Sequence, residues 1–301
     1  MKHWLKSALS GMGWELRRVP VTPAPNNQDQ LVQIGGHTIR FPAQSQIPQA
    51  YGFYPAYGRE LSSLARLVAS KYRDAAMVDV GANVGDTLAL IRQSTNAKVY
   101  AFEGDATSLR YLGGNAATLG NIEIIDRFLD EAPHVTAASM EKTGWNNTLR
   151  PTSEGARVEF TTLDEFFGRH PDAPRIKLVK VDCEGFDARI LRGGRQLFST
   201  SRPAVLFEYH ARCLRELGEH GPAIFGNFAQ IGYTDVVLFD HAGDLLLSTT
   251  ADNEPLWYQL DRYIQSERSP ILYLDAACFH RDDADLARQL SASAPSIKPA
   301  L

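Results

Sequence analysis

The chain is 301 residues long, with 31 Lys and Arg against 35 Asp and Glu, a net charge of −4 with His neutral. Its 44% hydrophobic and 22% charged content is that of a folded globular protein and excludes a disordered, collagen-like or coiled-coil chain. The slight negative charge argues against nucleic acid as a partner, which needs a basic footprint, and no apolar stretch approaches the roughly 20 residues of a transmembrane segment. Three cysteines, Cys183, Cys213 and Cys278, are far apart and form no CxxC pair. Neither a disulfide framework nor a zinc site is expected from them, and a reducing, cytoplasmic location fits. No apolar core of 7–15 residues follows Lys2 and Lys6, so no secretory signal is read.

Residues 2–18 read as a short basic helix with Leu5, Leu9, Met12 and Leu16 on one face. It has two readings: peripheral membrane contact, or an arm that docks on its own domain or on a second copy of the chain as a homo-oligomer. Residues 20–30 are a linker by composition. Strand-like pieces and an aromatic run (Tyr51, Phe53, Tyr54, Tyr57) follow; the run either packs on a neighbouring surface or roofs a pocket.

From residue 61 the pattern becomes regular. Strands are expected at Ala76–Val80, Lys98–Phe102 and Ile122–Ile125, with helices from Asp86 and over Ala106–Leu119. Short strand-like pieces at Val135–Ser139 and Arg157–Thr161 flank a Gly-containing loop, Trp145 to Thr148, that could stack on a sugar. Next come a short helix (LDEFFGR), a strand at Ile176–Val181, a helix over Phe186–Phe198, a strand at Ala204–Phe207 and a helical segment near 211–231. Thr234–Phe239, Leu245–Ser248 and Ile271–Phe279 read as strands. Strands alternating with helices imply parallel crossovers, and the near-continuous apolar strands are those of a sheet covered on both faces. The short loop His241–Asp244 adds antiparallel edges. The expected organisation is an extension over 1–60, one α/β domain over 61–290 and a loose tail over 291–301.

Two stretches carry chemistry. In the first, Asp79, Gly81, Ala82, Asn83 and Gly85 end a strand and open a helix whose N-terminus offers N–H groups to a carboxylate or phosphate. Glu103 and Gly104 end the next strand; Glu103 lies 22 residues after Gly81, where an acid accepts both hydrogen bonds of a ribose diol. Asp126, ending the third strand, is a candidate near the adenine. A dinucleotide fingerprint would need Gly where Asn83 stands, and Asp79 would repel phosphates. The same Asp79 suits the amino group of S-adenosylmethionine, which has a ribose but no phosphate.

The second stretch is Lys180, Asp182, Cys183, Glu184, Gly185. Alternation puts Lys180, Asp182 and Glu184 on one face, and buried charges must pair or line a cleft. Glu208 and His210 end the neighbouring strand. Such a cluster could bind acceptor hydroxyls, serve as general base, or hold a divalent cation such as Mg²⁺ through Asp182 and Glu208. A structural ion-pair network around Lys180 is the bland alternative. Cys183 is expected to be a buried small hydrophobe.

Together these residues resemble the FkbM family of S-adenosylmethionine-dependent methyltransferases. The matching pieces are VDVGANVGDTL (78–88), AFEGD (101–105), TTLDEFF (161–167), KLVKVDCEGFDARILRGG (177–194) and PAVLFEYH (203–210). The resemblance implies a Rossmann-like class I methyltransferase fold, a mostly parallel seven-stranded sheet with antiparallel edge strands and helices on both faces. It implies methyl transfer, usually to oxygen, of a small-molecule or carbohydrate acceptor. It carries Asp79, Gly81, Asn83, Gly85 and Glu103 over to the cofactor and Lys180, Asp182, Glu184 and Gly185 to the acceptor. Two departures are Asp187, where Glu is usual, and the segment DRFLDEAPH after Ile125. A nicotinamide-dependent oxidoreductase and a non-catalytic cofactor-binding module are the rival readings.

Overall fold

The computed structural model describes residues 28–143, 146–152 and 155–293. The expected helix over 2–18, and with it the membrane and docking readings, lies outside the described residues, as does the tail past Ser293.

The described chain opens with a hairpin of β1 (Gln30–Ile34) and β2 (His37–Phe41), then α1 (Ile47–Phe53) and α2 (Arg59–Lys71). The parallel sheet follows in β3 (Ala76–Val80), α3 (Asp86–Arg92), β4 (Val99–Glu103), α4 (Ala106–Leu119) and β5 (Ile122–Asp126). An inserted sheet comprises β6 (Phe128–Leu129), β7 (His134–Thr143), β8 (Asn146–Pro151) and β9 (Ala156–Thr161). The chain returns through α5 (Leu163–Gly168), β10 (Ile176–Val181), α6 (Asp187–Arg192), α7 (Arg195–Ser201) and β11 (Ala204–Tyr209). It closes with α8 (Ala211–Glu216), α9 (Ala223–Gln230), β12 (Tyr233–Asp240), β13 (Leu245–Thr250), α10 (Glu254–Gln265), β14 (Leu274–His280) and α11 (Ala284–Ser293).

The main sheet has eight strands in the order β13-β12-β14-β11-β10-β3-β4-β5. The five from β11 to β5 are mutually parallel. The expected seven strands gain an eighth because β12 and β13 form the hairpin that Asp240–Asp244 closes. The last strand then inserts between β11 and β12, antiparallel to both, so one antiparallel strand is interior rather than at an edge. Chain order reverses between β3 and β10, and a crevice opens there at the carboxyl ends, as in other open α/β sheets.

Every residue of β3, β10 and β11 is buried, and alternation sends them to two cores. Val78, Val80, Val179, Val181, Val205 and Phe207 face one cluster. Met77, Leu178, Leu206 and Ala277 face the other, covered by Leu61, Leu64 and Val68 of α2 and Leu286 and Leu290 of α11. This second face ends in charge at the carboxyl edge: Asp79 and Lys180 are buried there, as is Glu208. Ile34, Ile39 and Phe41 belong to the same cluster, so packing is continuous across residue 60.

The helix expected over Phe186–Phe198 is two, α6 and α7, broken at Gly193–Gly194. A Cβ on Gly193 would stand 2.3 Å from the Asp130 carbonyl oxygen, so the chain needs glycine where it passes the inserted sheet. Residues 146–148, expected in a loop, belong to β8. Three helices were not expected: α1, α10 and α11. In α10 Trp257 stacks on Phe225 with ring centroids 3.6 Å apart.

Candidate active site

A cleft of about 480 Å³ opens at the switch point between β3 and β10, with walls from α1, α2, the inserted sheet and the ends of β11 and β14. Its two halves differ in chemistry.

The first half is built on the turns after β3 and β4. Gly81 has φ of +76°, and a Cβ there would meet the Asp182 carbonyl oxygen at 2.1 Å; only glycine lets the β3 and β10 turns touch. The Gly81 and Ala82 N–H groups both donate to the Phe102 carbonyl at 3.0 Å, and the Gly85 N–H to the Ala82 carbonyl at 2.7 Å. Asn83, also left-handed at φ +47°, donates its N–H to Glu103 Oε2 at 2.8 Å. The N–H groups of Gly81, Ala82, Asn83 and Gly85, in the turn before the helix, are therefore engaged within the protein. Glu103 accepts two more N–H groups at Oε1, from Gly104 at 2.9 Å and Asp105 at 2.8 Å. Burial pushes its carboxyl up from the usual range and these three N–H groups oppose the shift. The carboxylate is fixed in direction at the cleft wall, which suits the two donors of a vicinal diol. Phe128 covers the strand end: a Cβ on Gly104 would meet its ring at 2.4 Å.

The second half gathers around Lys180. Its ammonium lies 3.3 Å from Asp79 Oδ1 and 3.4 Å from Asp182 Oδ2. Burial works to lower its pKa, but the carboxylates of Asp79 and Asp182 outweigh it and hold the ammonium well above the usual lysine value. Asp79 is wholly buried, accepts a short hydrogen bond from the Thr87 hydroxyl, and is not among the residues lining the cleft. Asp182 is different: its side chain is 45% exposed and lines the cleft. Glu184 also lines it, at φ +52°; the strand ends at Val181, so the expected alternation stops before it. Burial, then Asp182 and Asp187, raise the Glu184 carboxyl to about 8.

Glu208 is buried, and burial with the neighbouring acids holds its carboxyl well above the usual range. His210 caps α8: its Nδ1 accepts the Cys213 N–H at 3.3 Å. With the ring neutral, as burial favours, this contact assigns the proton to Nε2. His210 is thus a donor at Nε2. Cys183 lines the cleft half-buried, and burial pushes its thiol well above the usual value.

Several expectations change. Asp126 is exposed and does not line the cleft; Arg127 and Phe128 do. Ala82 and Gly85 are not among the residues lining the cleft. Asp187 is fully buried and accepts the Cys183 and Gly185 N–H groups at 3.2 and 3.0 Å; it shapes the turn rather than reaching the acceptor. The divalent cation weighed for Asp182 and Glu208 finds no support in the structure. Among the described residues no group of three His, Cys, Asp or Glu side chains could hold a metal ion, and the cation beside Asp182 is the Lys180 ammonium. Of the aromatic run, Tyr51, Tyr54 and Tyr57 wall the cleft, and the Tyr51 hydroxyl donates to Asp86 Oδ2 at 2.9 Å.

Two acids of the second half were missed, Glu60 on α2 and Asp275 on β14. Asp275 interrupts an apolar strand, the same signal that marks Lys180 and Asp182. Glu60 resembles an ordinary first-turn helix acid, and nothing in the sequence places it over the sheet edge.

Residues 79–234, just over half of the chain, match the Methyltransferase FkbM domain. The chain belongs to this family. Hexuronic acid methyltransferase AglP of Haloferax volcanii is 24% identical over 182 residues, 60% of this chain and 74% of the relative. Among solved structures, methyltransferase FkbM from Methylobacillus flagellatus superposes with a TM-score of 0.42 at 16% identity, over 67% of this chain and 58% of that one. The Methanococcus jannaschii fibrillarin pre-rRNA processing protein gives 0.40 at 13% identity, over 86% of each chain. The mostly parallel sheet with helices on both faces is the α/β architecture expected of the chain, and no described helix is long and apolar enough to cross a membrane.

Proposed function

We propose that this FkbM-family methyltransferase moves a methyl group from S-adenosylmethionine to a hydroxyl oxygen of a carbohydrate or similar small acceptor. The observation that carries this reading is Asp182: a half-exposed carboxylate at the junction of the two halves, 3.4 Å from an ammonium. When bound, S-adenosylmethionine supplies a methyl group already activated as a sulfonium. Glu103 would hold the ribose diol, with Phe128 and Gly104 beside it. Asp182 accepts the hydrogen bond of the acceptor hydroxyl, orients its oxygen and takes its proton. The Lys180 ammonium offsets the charge of Asp182 before that transfer. His210 donates a hydrogen bond that helps fix the acceptor ring. The activity in AglP's name, on a hexuronic acid, supports a sugar as the acceptor class.

Calorimetric titration of S-adenosylmethionine tests the first half. Transfer of labelled methyl to a panel of glycosides, with the product identified as an ether, tests the second. No binding by folded protein would sink the cofactor assignment. A methylated nitrogen or carbon in place of an ether would sink the oxygen specificity.

A further inference from the structure

One wall of the acceptor half carries polar atoms that the proposed proton transfer does not use. Glu60 comes from α2, Glu208 from β11 and Asp275 from β14, and Asp275 stands directly opposite Glu208 in the antiparallel register. All three line the cleft. Glu60 is 6% exposed and Glu208 8%, and Oε2 of each is buried without a hydrogen-bond partner. The rest of the Glu60 carboxyl takes the N–H groups of residues 60 and 61. Opposed acids on neighbouring strands repel, and a buried polar group without a partner costs stability. The wall is therefore complete only with a ligand that donates hydrogen bonds.

Charge narrows the ligand further. Lys180 is already held between Asp79 and Asp182, and Arg127 belongs to the half with Phe128. A carboxylate ligand would meet acids and find no open cation on this wall. A metal ion is not the complement either, since no described group of three candidate ligands could hold one.

We propose that Glu60, Glu208 and Asp275 bind a protonated amine of the acceptor, so that the substrate is an amino sugar or a comparable amino-polyol rather than a uronate. Burial first, then neighbouring acids, raise these carboxyls above the usual range in the empty cleft. An entering ammonium reverses that balance and is held by charge-assisted hydrogen bonds. The inference rests on the methyl-transfer reading only for the identity of the cleft, and the two can fail separately.

The test is calorimetric titration of the protein, saturated with S-adenosylhomocysteine, with glucosamine, glucose and glucuronate at one pH, followed by labelled-methyl transfer to each. Glucosamine is expected to bind about tenfold or more tighter than glucose, the gain of one charge-assisted hydrogen bond, and glucuronate weakest. Glu60→Gln and Asp275→Asn each keep side-chain shape, and each is expected to erase the preference while S-adenosylhomocysteine still binds. Equal binding of the three sugars, a preference for glucuronate, or binding of none overturns the proposal, as does a preference that survives both substitutions. Preferred binding of glucosamine without methylation of any hydroxyl leaves the proposal standing and overturns the oxygen-transfer reading instead.

Discussion

The two halves of the cleft solve opposite problems with the same residue type. Glu103 is an acid whose two oxygens are held by three backbone N–H groups. It is directed before any ligand arrives, and the turn around it has bonded its own N–H groups to the Phe102 and Ala82 carbonyls. Glu60 and Glu208 are acids buried with an oxygen left over. One half is saturated by local backbone and presents a finished surface. The other brings three acids from distant segments and leaves an oxygen of two of them, Glu60 and Glu208, without a partner. Preorganisation suits a part of the ligand that never changes. An unsaturated wall suits a group whose hydrogen bonds select it.

The largest effect that separates the halves is expected at Asp182. Asp182→Asn should lower kcat by about 10²–10⁴-fold, the usual range for a positioned acid or base. Affinity for S-adenosylmethionine should change by less than about threefold, because the change falls on the reacting step. A rate left intact would remove Asp182 from the chemistry. Glu103→Ala should give the converse: cofactor affinity about 100-fold weaker, since two hydrogen bonds to a charged group are lost and three N–H groups lose their acceptor. Calorimetry reads it directly. A variant that binds as well as the parent would show that the diol is held elsewhere.

A third prediction concerns pH. Burial raises the Glu60 carboxyl from 4.5 to about 7, so the folded protein holds this proton more tightly than the unfolded chain. The stabilisation is fully present below pH ~4.5 and is lost as pH rises through ~7. In the ligand-free protein Glu60→Gln should therefore flatten the fall in stability across that window by about 2 kcal/mol, given 1.36 kcal/mol per pKa unit. Urea unfolding at pH 5 and pH 7.5 checks it. A slope unchanged by the substitution would mean that Glu60 is ionised in the fold.

The same contrast explains how far the sequence could be read. The saturated half is local: β3, α4 and β10 lie where periodicity places them, at Ala76–Val80, Ala106–Leu119 and Ile176–Val181. The spacing from Gly81 to Glu103 predicts two adjacent strand ends, and the register pairs Val80 with Phe102. What was not legible depends on distant contacts. Asp79 reads as a ligand for the cofactor; that its carboxylate also meets the Lys180 ammonium and the Thr87 hydroxyl was not legible. Helix α10 is amphipathic, with Pro255 in its first turn and Trp257, Leu260 and Ile264 turned inward, a pattern that could have been found. Glu60 could not, because a first-turn acid on a sheet-covering helix has the same local signature whether it faces water or the cleft.

The smallest expected effect falls on Asp126, and it sharpens the line between strand-end acids that face the cleft and those that do not. Asp126 pairs with Glu103 in the β4–β5 register, so the two acids end neighbouring strands side by side. Only Glu103 lines the cleft, because the chain turns after Asp126 and sends Phe128 over Gly104 instead. Asp126→Ala should leave cofactor affinity within about twofold, as exposed substitutions away from packed contacts stay within about 0.5 kcal/mol. Phe128→Ala removes the ring that covers the strand end and should weaken binding by about tenfold, as expected for the loss of one aromatic stacking contact. If calorimetry finds the reverse order, the adenine is recognised by the carboxylate at the end of β5, and the inserted sheet is a cover without a binding role.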